Sequence, residues 1–198
     1  MHLIGILGHS LLLLPASFGL IGLLLLAGSR RDALAFVVAL LIGLTATLLA
    51  KLTFEACLWG ISTLRIESPS GHASFSALVY GCLAVLVATG RPIGQQLLIA
   101  IGASGLILLI GFSRIAVEVH TPEEVVLGLL IGGAGVLLFA ALRGQARRLA
   151  IPWGALAFAS PFAIVLALCV LLLTRNWTPE PLIDALARHI GVQFGLCA

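Results

Sequence analysis

Charged side chains are scarce in this sequence. Asp, Glu, Lys and Arg together make up 10% of the 198 residues, whereas 61% of the residues are hydrophobic. A soluble domain carries roughly 25% charged residues, so the composition excludes an ordinary water-soluble fold. The basic residues form no run beyond the arginines expected at membrane edges, and the net charge is only +3. We therefore expect an integral membrane protein with no nucleic-acid partner.

Cysteine is also rare, and the four cysteines do not have the spacing of metal ligands. Cys82 and Cys169 lie within apolar runs, where a thiol packs as a small hydrophobic group. Cys57 and Cys197 lie outside those runs, and a disulfide between them is an open alternative. No triad of His, Cys or carboxylate residues has the spacing of a zinc site. We expect no metal and no other cofactor.

Long apolar stretches dominate the rest of the chain. A spanning helix needs about 20 apolar residues, and six stretches qualify: 3–28, 33–54, 73–90, 93–112, 123–142 and 150–174. The predicted fold is all-α, with about six transmembrane helices bundled in one membrane-embedded domain, residues 1–198. Residues 178–196 are either a short amphipathic segment on the membrane surface or a weakly ordered tail.

The basic residues divide unevenly between the two sides of the predicted membrane. One side receives six, with Asp32 as its only acid: Arg30, Arg31, Arg91, Arg143, Arg147 and Arg148. The other side receives five, with the remaining seven acids: Lys51, Arg65, Arg114, Arg175 and Arg188. Lys and Arg favour the cytoplasmic side. We therefore expect a plasma membrane protein (the inner membrane of a bacterium) with both termini on the outer, periplasmic side.

A polar tetrapeptide, Pro-Ser-Gly-His at residues 69–72, stands at the start of the third predicted helix. The N-terminus of a helix presents unpaired backbone N–H groups and a positive dipole end, and both suit phosphate. Ser70 can cap the helix or donate its hydroxyl, and Gly71 lets an anion approach the backbone closely. An ordinary helix cap followed by an interfacial His72 explains the same residues without a ligand.

A second polar cluster joins the fourth and fifth predicted helices. Ser113 and Arg114 close one helix, His120 precedes a Thr-Pro helix start, and Glu124 follows about one turn later. A carboxylate that accepts a hydrogen bond from an imidazole fixes its tautomer and raises the basicity of the opposite nitrogen. That is one way to make a histidine nucleophile. The alternative is a capped helix whose acidic first turn complements the dipole.

Short loops predict that the third, fourth and fifth helices pack as antiparallel neighbours. His72, Arg114 and His120 would then share one pocket at the outer face. Phosphoryl transfer needs cations and backbone donors that stabilise charge on the equatorial oxygens. One histidine can attack phosphorus while the other protonates the leaving oxygen. The two clusters together therefore indicate phosphoryl chemistry.

These clusters resemble motifs of the type-2 phosphatidic-acid phosphatase superfamily of membrane lipid phosphatases. Its three motifs are Lys-x6-Arg-Pro, Pro-Ser-Gly-His and Ser-Arg-x5-His-x3-Asp. The second motif is unchanged at 69–72, and the third is present at 113–124 with Glu124 in place of Asp. The resemblance covers roughly residues 51–130.

The first motif is incomplete. Lys51 stands where the motif's lysine is expected, but Leu58 stands seven residues later in place of the arginine. Arg65 is the only arginine between Lys51 and the second motif, and no proline follows it. We expect Arg65 to replace the missing guanidinium from a different position in the loop.

The resemblance implies a role for each motif residue. It implies that His120 is the nucleophile that forms a phosphohistidine, that His72 is the acid for the leaving group, and that Glu124 orients His120. It assigns phosphate binding to six residues: Lys51, Arg65, Ser70, Gly71, Ser113 and Arg114. No metal takes part in this scheme.

The implied activity is hydrolysis of a membrane lipid phosphate or pyrophosphate at the outer face, with the lipid tails held between helices. Undecaprenyl pyrophosphate, phosphatidylglycerol phosphate, phosphatidic acid and lipid A phosphates all fit such a site. One alternative is a phosphotransferase with a lipid pyrophosphate donor. Another is a non-catalytic lipid-headgroup binder or transporter, which the incomplete first motif favours. Glycines at 128, 132, 133 and 135 permit close helix packing within or between chains, so the sequence does not define the oligomeric state.

Overall fold

The computed structural model describes residues 2–57 and 68–144, together with positions 183, 185–187 and 189 near the C-terminus. Its helices are α1 (His2–Leu7), α2 (Ser10–Leu26), α3 (Arg30–Cys57), α4 (Gly71–Ala88), α5 (Ile93–Ala116) and α6 (Pro122–Arg143). The described part of the chain contains no strand. The predicted all-α fold is confirmed.

Five stretches of the described chain are long and apolar enough to cross a membrane. They are Ile4–Leu26, Arg30–Phe54, Gly71–Ala88, Ile93–Ala116 and Pro122–Arg143. These stretches correspond to the first five predicted spans, as expected for a polytopic membrane bundle. The predicted sixth span, 150–174, lies outside the described residues. So do the side chains of Cys57 and Cys197, whose pairing stays an open alternative.

The first predicted span, 3–28, corresponds to Ile4–Leu26, but it is made of two helices and not of one continuous helix. α1 ends at Leu7 and α2 begins at Ser10. His9 is the N-cap of α2, and its Nδ1 accepts a hydrogen bond from the backbone N–H of Leu11 at 3.2 Å. Hydropathy alone cannot detect this break, because it depends on a glycine and on a side chain that caps the new helix.

α4 is the central helix of the bundle, since it packs against α2, α3, α5 and α6. Its residues from Ala73 to Val79 are all buried. α6 approaches α4 closely through glycines: a Cβ added at Gly128 would lie 2.5 Å from the carbonyl oxygen of Ser70, and one at Gly132 would also meet α4. These glycines therefore serve helix packing within the chain.

The two ends of the bundle differ in chemistry. At one end Arg143 and Asp32 form a buried ion pair, with Nε to Oδ1 at 3.0 Å. Arg31 reaches the same end and donates from Nε to the carbonyl of Leu142 at 3.2 Å. Lys51, the start of α4 and the α5–α6 turn lie at the opposite end. The described basic residues that the charge count assigns to the cytoplasm are thus separated from the motif residues by the length of the helices.

Candidate active site

The N-terminus of α4 forms the centre of the candidate site. Ser70 caps the helix and is fully buried. Its Oγ accepts from the backbone N–H of Ala73 at 3.4 Å, while its own N–H donates to the carbonyl of Glu124 at 3.0 Å. Because Oγ acts as the acceptor in this cap, the hydroxyl can still donate to an anion. Gly71 and His72 form the first turn, where the positive end of the helix dipole lies.

Lys51 lies beside this helix start. It belongs to the C-terminal part of α3, and its side chain is only 7% exposed. A Cβ added at Gly71 would lie 3.6 Å from Cε of Lys51, so the end of the lysine side chain lies close to the first residue of α4. An anion bound here would interact with both the ammonium and the helix dipole.

The turn between α5 and α6 sets the spacing of Arg114 and His120. α5 ends in a Schellman motif: the N–H of Val119 donates to the carbonyl of Arg114 at 3.2 Å, and the N–H of Glu118 donates to Ile115 at 2.9 Å. Glu118 occupies the left-handed position of that motif, with φ 56°. α6 then begins after Thr121, so the turn leaves His120 just before the new helix.

Glu124 connects the two polar clusters. It is 4% exposed, and it forms a capping box with Thr121 at the start of α6. Its Oε2 lies 2.8 Å from Nδ1 of His120, and its Oε1 accepts from the backbone N–H of Ser68 at 3.0 Å. A carboxylate that accepts at Nδ1 favours the tautomer with the proton on that nitrogen, which leaves the lone pair on Nε2. The same carboxylate holds the segment that leads into α4.

His72 lies near the other ionisable groups of the site. Its ring interacts electrostatically with Arg114, His120 and Lys51, which come from α5, the α5–α6 turn and α3. This arrangement follows from the position of α4 between its neighbours. The structure thus brings together the motif residues that the antiparallel packing was expected to join.

His9 belongs to the same site and was missed by the sequence analysis. Its ring packs edge-on against His72, with 5.2 Å between ring centroids and an interplanar angle of 86°. α1 is docked nearby, since a Cβ added at Gly5 would lie 3.5 Å from Nη1 of Arg114. The signal that could have found His9 is the Gly-His-Ser tripeptide at 8–10, a polar interruption typical of a helix restart inside an apolar run.

For two predicted phosphate ligands, Ser113 and Arg65, the described part of the structure shows no side chain directed at the site. The hydroxyl of Ser113 donates to the carbonyl of Ile110 at 2.6 Å, within α5. Its proton is therefore directed at its own helix. Arg65 lies outside the described residues, so its role as a substitute guanidinium stays a prediction. Among the described residues, no three His, Cys, Asp or Glu side chains group as metal ligands.

A cavity of about 170 Å³ opens beside the helix start. Its lining along α3 runs from Lys51 to Leu48 and Leu44, a distance of roughly 10 Å along the helix axis. His72 lies at the polar end of this cavity, and Phe75 adds to the apolar wall one turn further along α4. An anionic head with a hydrocarbon tail matches this change from polar to apolar lining.

The model of the PAP2 superfamily (type-2 phosphatidic-acid phosphatases) matches residues 33–148, more than half of the chain. The chain belongs to the PAP2 superfamily. A Klebsiella pneumoniae protein described as "Uncharacterized 22.5 kDa protein in cps region" is 30% identical over 196 residues, which are 96% of this chain and 91% of the relative. No solved structure matches the chain.

Membership of the PAP2 superfamily confirms the resemblance drawn from the two motifs. It implies phosphatase or phosphotransferase activity on phosphate esters. The matched region begins in α3 and includes α4, α5 and α6, which carry both polar clusters. α1, α2 and His9 precede the matched region, so the wall that they add to the site lies outside the part of the chain that defines the PAP2 superfamily.

Proposed function

We propose that this PAP2 protein is a metal-independent phosphatase of membrane lipids that carry a phosphate or a pyrophosphate. The observation that carries this proposal is the cavity that runs from Lys51 and His72 to the apolar side chains of Leu44 and Leu48. A small soluble phosphate ester has no apolar group that would pack against this wall. A lipid has one, because its apolar tail can lie along this wall while its phosphate stays at the polar end of the cavity.

In the first step, Nε2 of His120 attacks phosphorus with its lone pair. The bond between phosphorus and the leaving oxygen breaks, and that oxygen keeps the electron pair and takes a proton from His72. The product is a phosphohistidine on His120. Glu124 stabilises the positive charge that develops on the His120 ring, and it keeps Nε2 directed at the substrate.

In the second step, water attacks the phosphohistidine. His72, which has lost its proton, takes one from the water as the new P–O bond forms. The P–N bond breaks, inorganic phosphate leaves and His120 is restored. Arg114, Lys51 and the N–H groups at the start of α4 stabilise the charge on the equatorial oxygens. Ser70, Gly71 and Arg65 complete the proposed set of phosphate ligands, whereas the hydroxyl of Ser113 donates within α5.

The site is proposed to face the outside of the cell membrane, the periplasm in a bacterium, with both termini on that side. Cysteine labelling tests this orientation in a variant whose native cysteines are replaced by serine. Val119→Cys lies in the exposed α5–α6 turn, and Gln95→Cys lies exposed at the opposite end of the bundle. A membrane-impermeant maleimide should label Val119→Cys in intact cells and Gln95→Cys only after lysis. The reverse pattern would place the site in the cytoplasm.

The function is tested by phosphate release from lipids in detergent micelles. The substrates are undecaprenyl pyrophosphate, phosphatidylglycerol phosphate, phosphatidic acid and lipid A phosphates, each with and without EDTA. His120→Ala should abolish release from every substrate that the wild-type protein hydrolyses, whereas His189→Ala, a change at an exposed histidine, should not. A wild-type rate in His120→Ala would refute the mechanism. Transfer of labelled phosphate to an added acceptor lipid would identify a phosphotransferase instead.

A further inference from the structure

His9 is fixed in one orientation by the break between α1 and α2. Its Nδ1 accepts a hydrogen bond from the backbone N–H of Leu11 at 3.2 Å. When His9 is neutral, this bond favours the tautomer with the proton on Nε2. The helix cap thereby makes Nε2 a hydrogen-bond donor. This is the opposite tautomer to that of His120, where Glu124 favours the proton on Nδ1.

The break is held against the site by contacts on two sides. The hydroxyl of Tyr80 in α4 donates to the carbonyl of Leu7 at 2.8 Å. Gly8 fits tightly on the other side, since a Cβ there would lie 2.5 Å from Cγ2 of Ile110 and 3.5 Å from Cβ of His72. These contacts with α4 and α5 hold His9 beside His72.

The ring of His9 lies where a leaving group is expected. It contacts His72 edge-on and lines the cavity together with His72, Lys51 and Gly71. The nucleophile His120 does not line this cavity. In phosphoryl transfer the attacking atom, phosphorus and the leaving oxygen lie roughly on one line, so the leaving group is on the side of phosphorus away from the nucleophile. His72 protonates the leaving oxygen in the proposed mechanism, and His9 is its neighbour on the cavity side.

We propose that His9 is a specificity-determining residue whose Nε2–H donates to a leaving group that is itself a phosphate. This inference rests on the proposed function. It assigns lipid pyrophosphates as the preferred substrates, because their leaving group has anionic non-bridging oxygens to accept the bond. The leaving group of a monoester is an alcohol, which offers only the one oxygen that His72 protonates. The tail of a pyrophosphate lipid then continues past His9 into the apolar part of the cavity.

The test compares two substrates with the same tail, farnesyl pyrophosphate and farnesyl monophosphate, in detergent micelles. His9→Ser and His9→Asn both keep an N-cap, but neither has a donor that reaches as far as Nε2 of His9. His9→Ser should lower kcat/KM for the pyrophosphate about 10- to 100-fold, the effect of one hydrogen bond to a charged acceptor. The value for the monophosphate should stay within about 3-fold, and His9→Asn should show the same selective loss for the pyrophosphate.

Two other results would overturn the inference. An equal loss on both substrates, with unchanged thermal stability, would mean that His9 acts by positioning His72. No loss on either substrate would mean that His9 does not contact the leaving group. A second measurement does not depend on turnover: the rise in thermal midpoint caused by inorganic pyrophosphate is compared with the rise caused by inorganic phosphate. His9→Ser should reduce the rise caused by pyrophosphate more than the rise caused by phosphate. A wild-type protein that binds pyrophosphate but hydrolyses neither lipid would instead contradict the proposed function.

Discussion

Oε2 of Glu124 lies 2.8 Å from Nδ1 of His120, and the other oxygen of the same carboxylate accepts from the backbone N–H of Ser68 at 3.0 Å. One buried side chain thus orients the proposed nucleophile and fixes the segment before α4. The two contacts respond differently to substitution, because only the first needs a negative charge.

Glu124→Gln is expected to lower kcat about 100-fold or more, with a small effect on stability. The amide oxygen can still accept from Ser68, but an amide no longer stabilises positive charge on His120. Phosphate release and the thermal midpoint of the same preparation provide the measurement. Glu123→Gln, a change at an exposed neighbour in the first turn of α6, is the matched control and should leave kcat unchanged. Equal rates in the two variants would contradict the assigned role.

Glu124→Asp is expected to lower stability more and kcat less than Glu124→Gln does. It keeps the charge but is shorter by one methylene, so it cannot reach both His120 and Ser68. If the aspartate stays with His120, the N–H of Ser68 is left buried and unpaired, at a cost of about 1–3 kcal/mol. The thermal midpoint should therefore fall while kcat falls less than in Glu124→Gln. A fully active and fully stable Glu124→Asp would show that the contact with Ser68 is dispensable.

Gly128→Ala is expected to reduce both stability and activity. The new Cβ would lie 2.5 Å from the carbonyl oxygen of Ser70, so α6 must move away from the cap of the proposed phosphate site. Overpacking of this kind costs about 1–3 kcal/mol, and a small displacement of the site lowers kcat about 10- to 100-fold. Gly133→Ala, on the same helix and with no described atom within 4 Å, is the control. It should be neutral or slightly stabilising.

Much of this architecture could be predicted from the sequence, because its signals are local. Apolar runs located the five described spans, and two short motifs located His72 and His120. The contact between Glu124 and Ser68 joins residues 56 positions apart, and no local pattern contains it. The break at His9 was missed for a different reason, since Gly8-His9-Ser10 is only three residues long and hydropathy averaged over the apolar run hides it. Its place against His72 depends on how α1 packs on α5, which hydropathy does not encode.

Glu118→Gly is expected to stabilise the protein by up to about 1 kcal/mol. Glu118 has φ 56° at the left-handed position of the Schellman motif, where glycine carries no steric penalty. Its side chain is exposed, so kcat should stay within about 2-fold of wild type. Glu118→Val should lower both stability and kcat, because a β-branched residue tolerates this conformation poorly and the strained turn would displace His120. Val119→Gly is the control, since a glycine there relieves no strain. Thermal unfolding in detergent measures all three, and a destabilised Glu118→Gly would contradict the argument.

The buried pair of Asp32 and Arg143 should affect stability without affecting chemistry. Besides its ion pair with Asp32, Arg143 donates from Nη1 to the carbonyl of Val85 and to Oγ1 of Thr89, so it joins α3, α4 and α6 at the end of the bundle away from the proposed site. Removing one partner of a buried pair leaves an uncompensated charge and costs about 3–5 kcal/mol.

Arg143→Met should therefore lower the thermal midpoint strongly, while kcat per folded molecule below the transition stays at the wild-type value. Arg91→Met provides the comparison, because its guanidinium bonds only within its own exposed turn among the described residues. The double variant Asp32→Leu with Arg143→Met should recover much of the lost stability, since it removes both charges. A lower kcat in Arg143→Met under conditions where the protein is fully folded would show that this distant end of the bundle is coupled to the site.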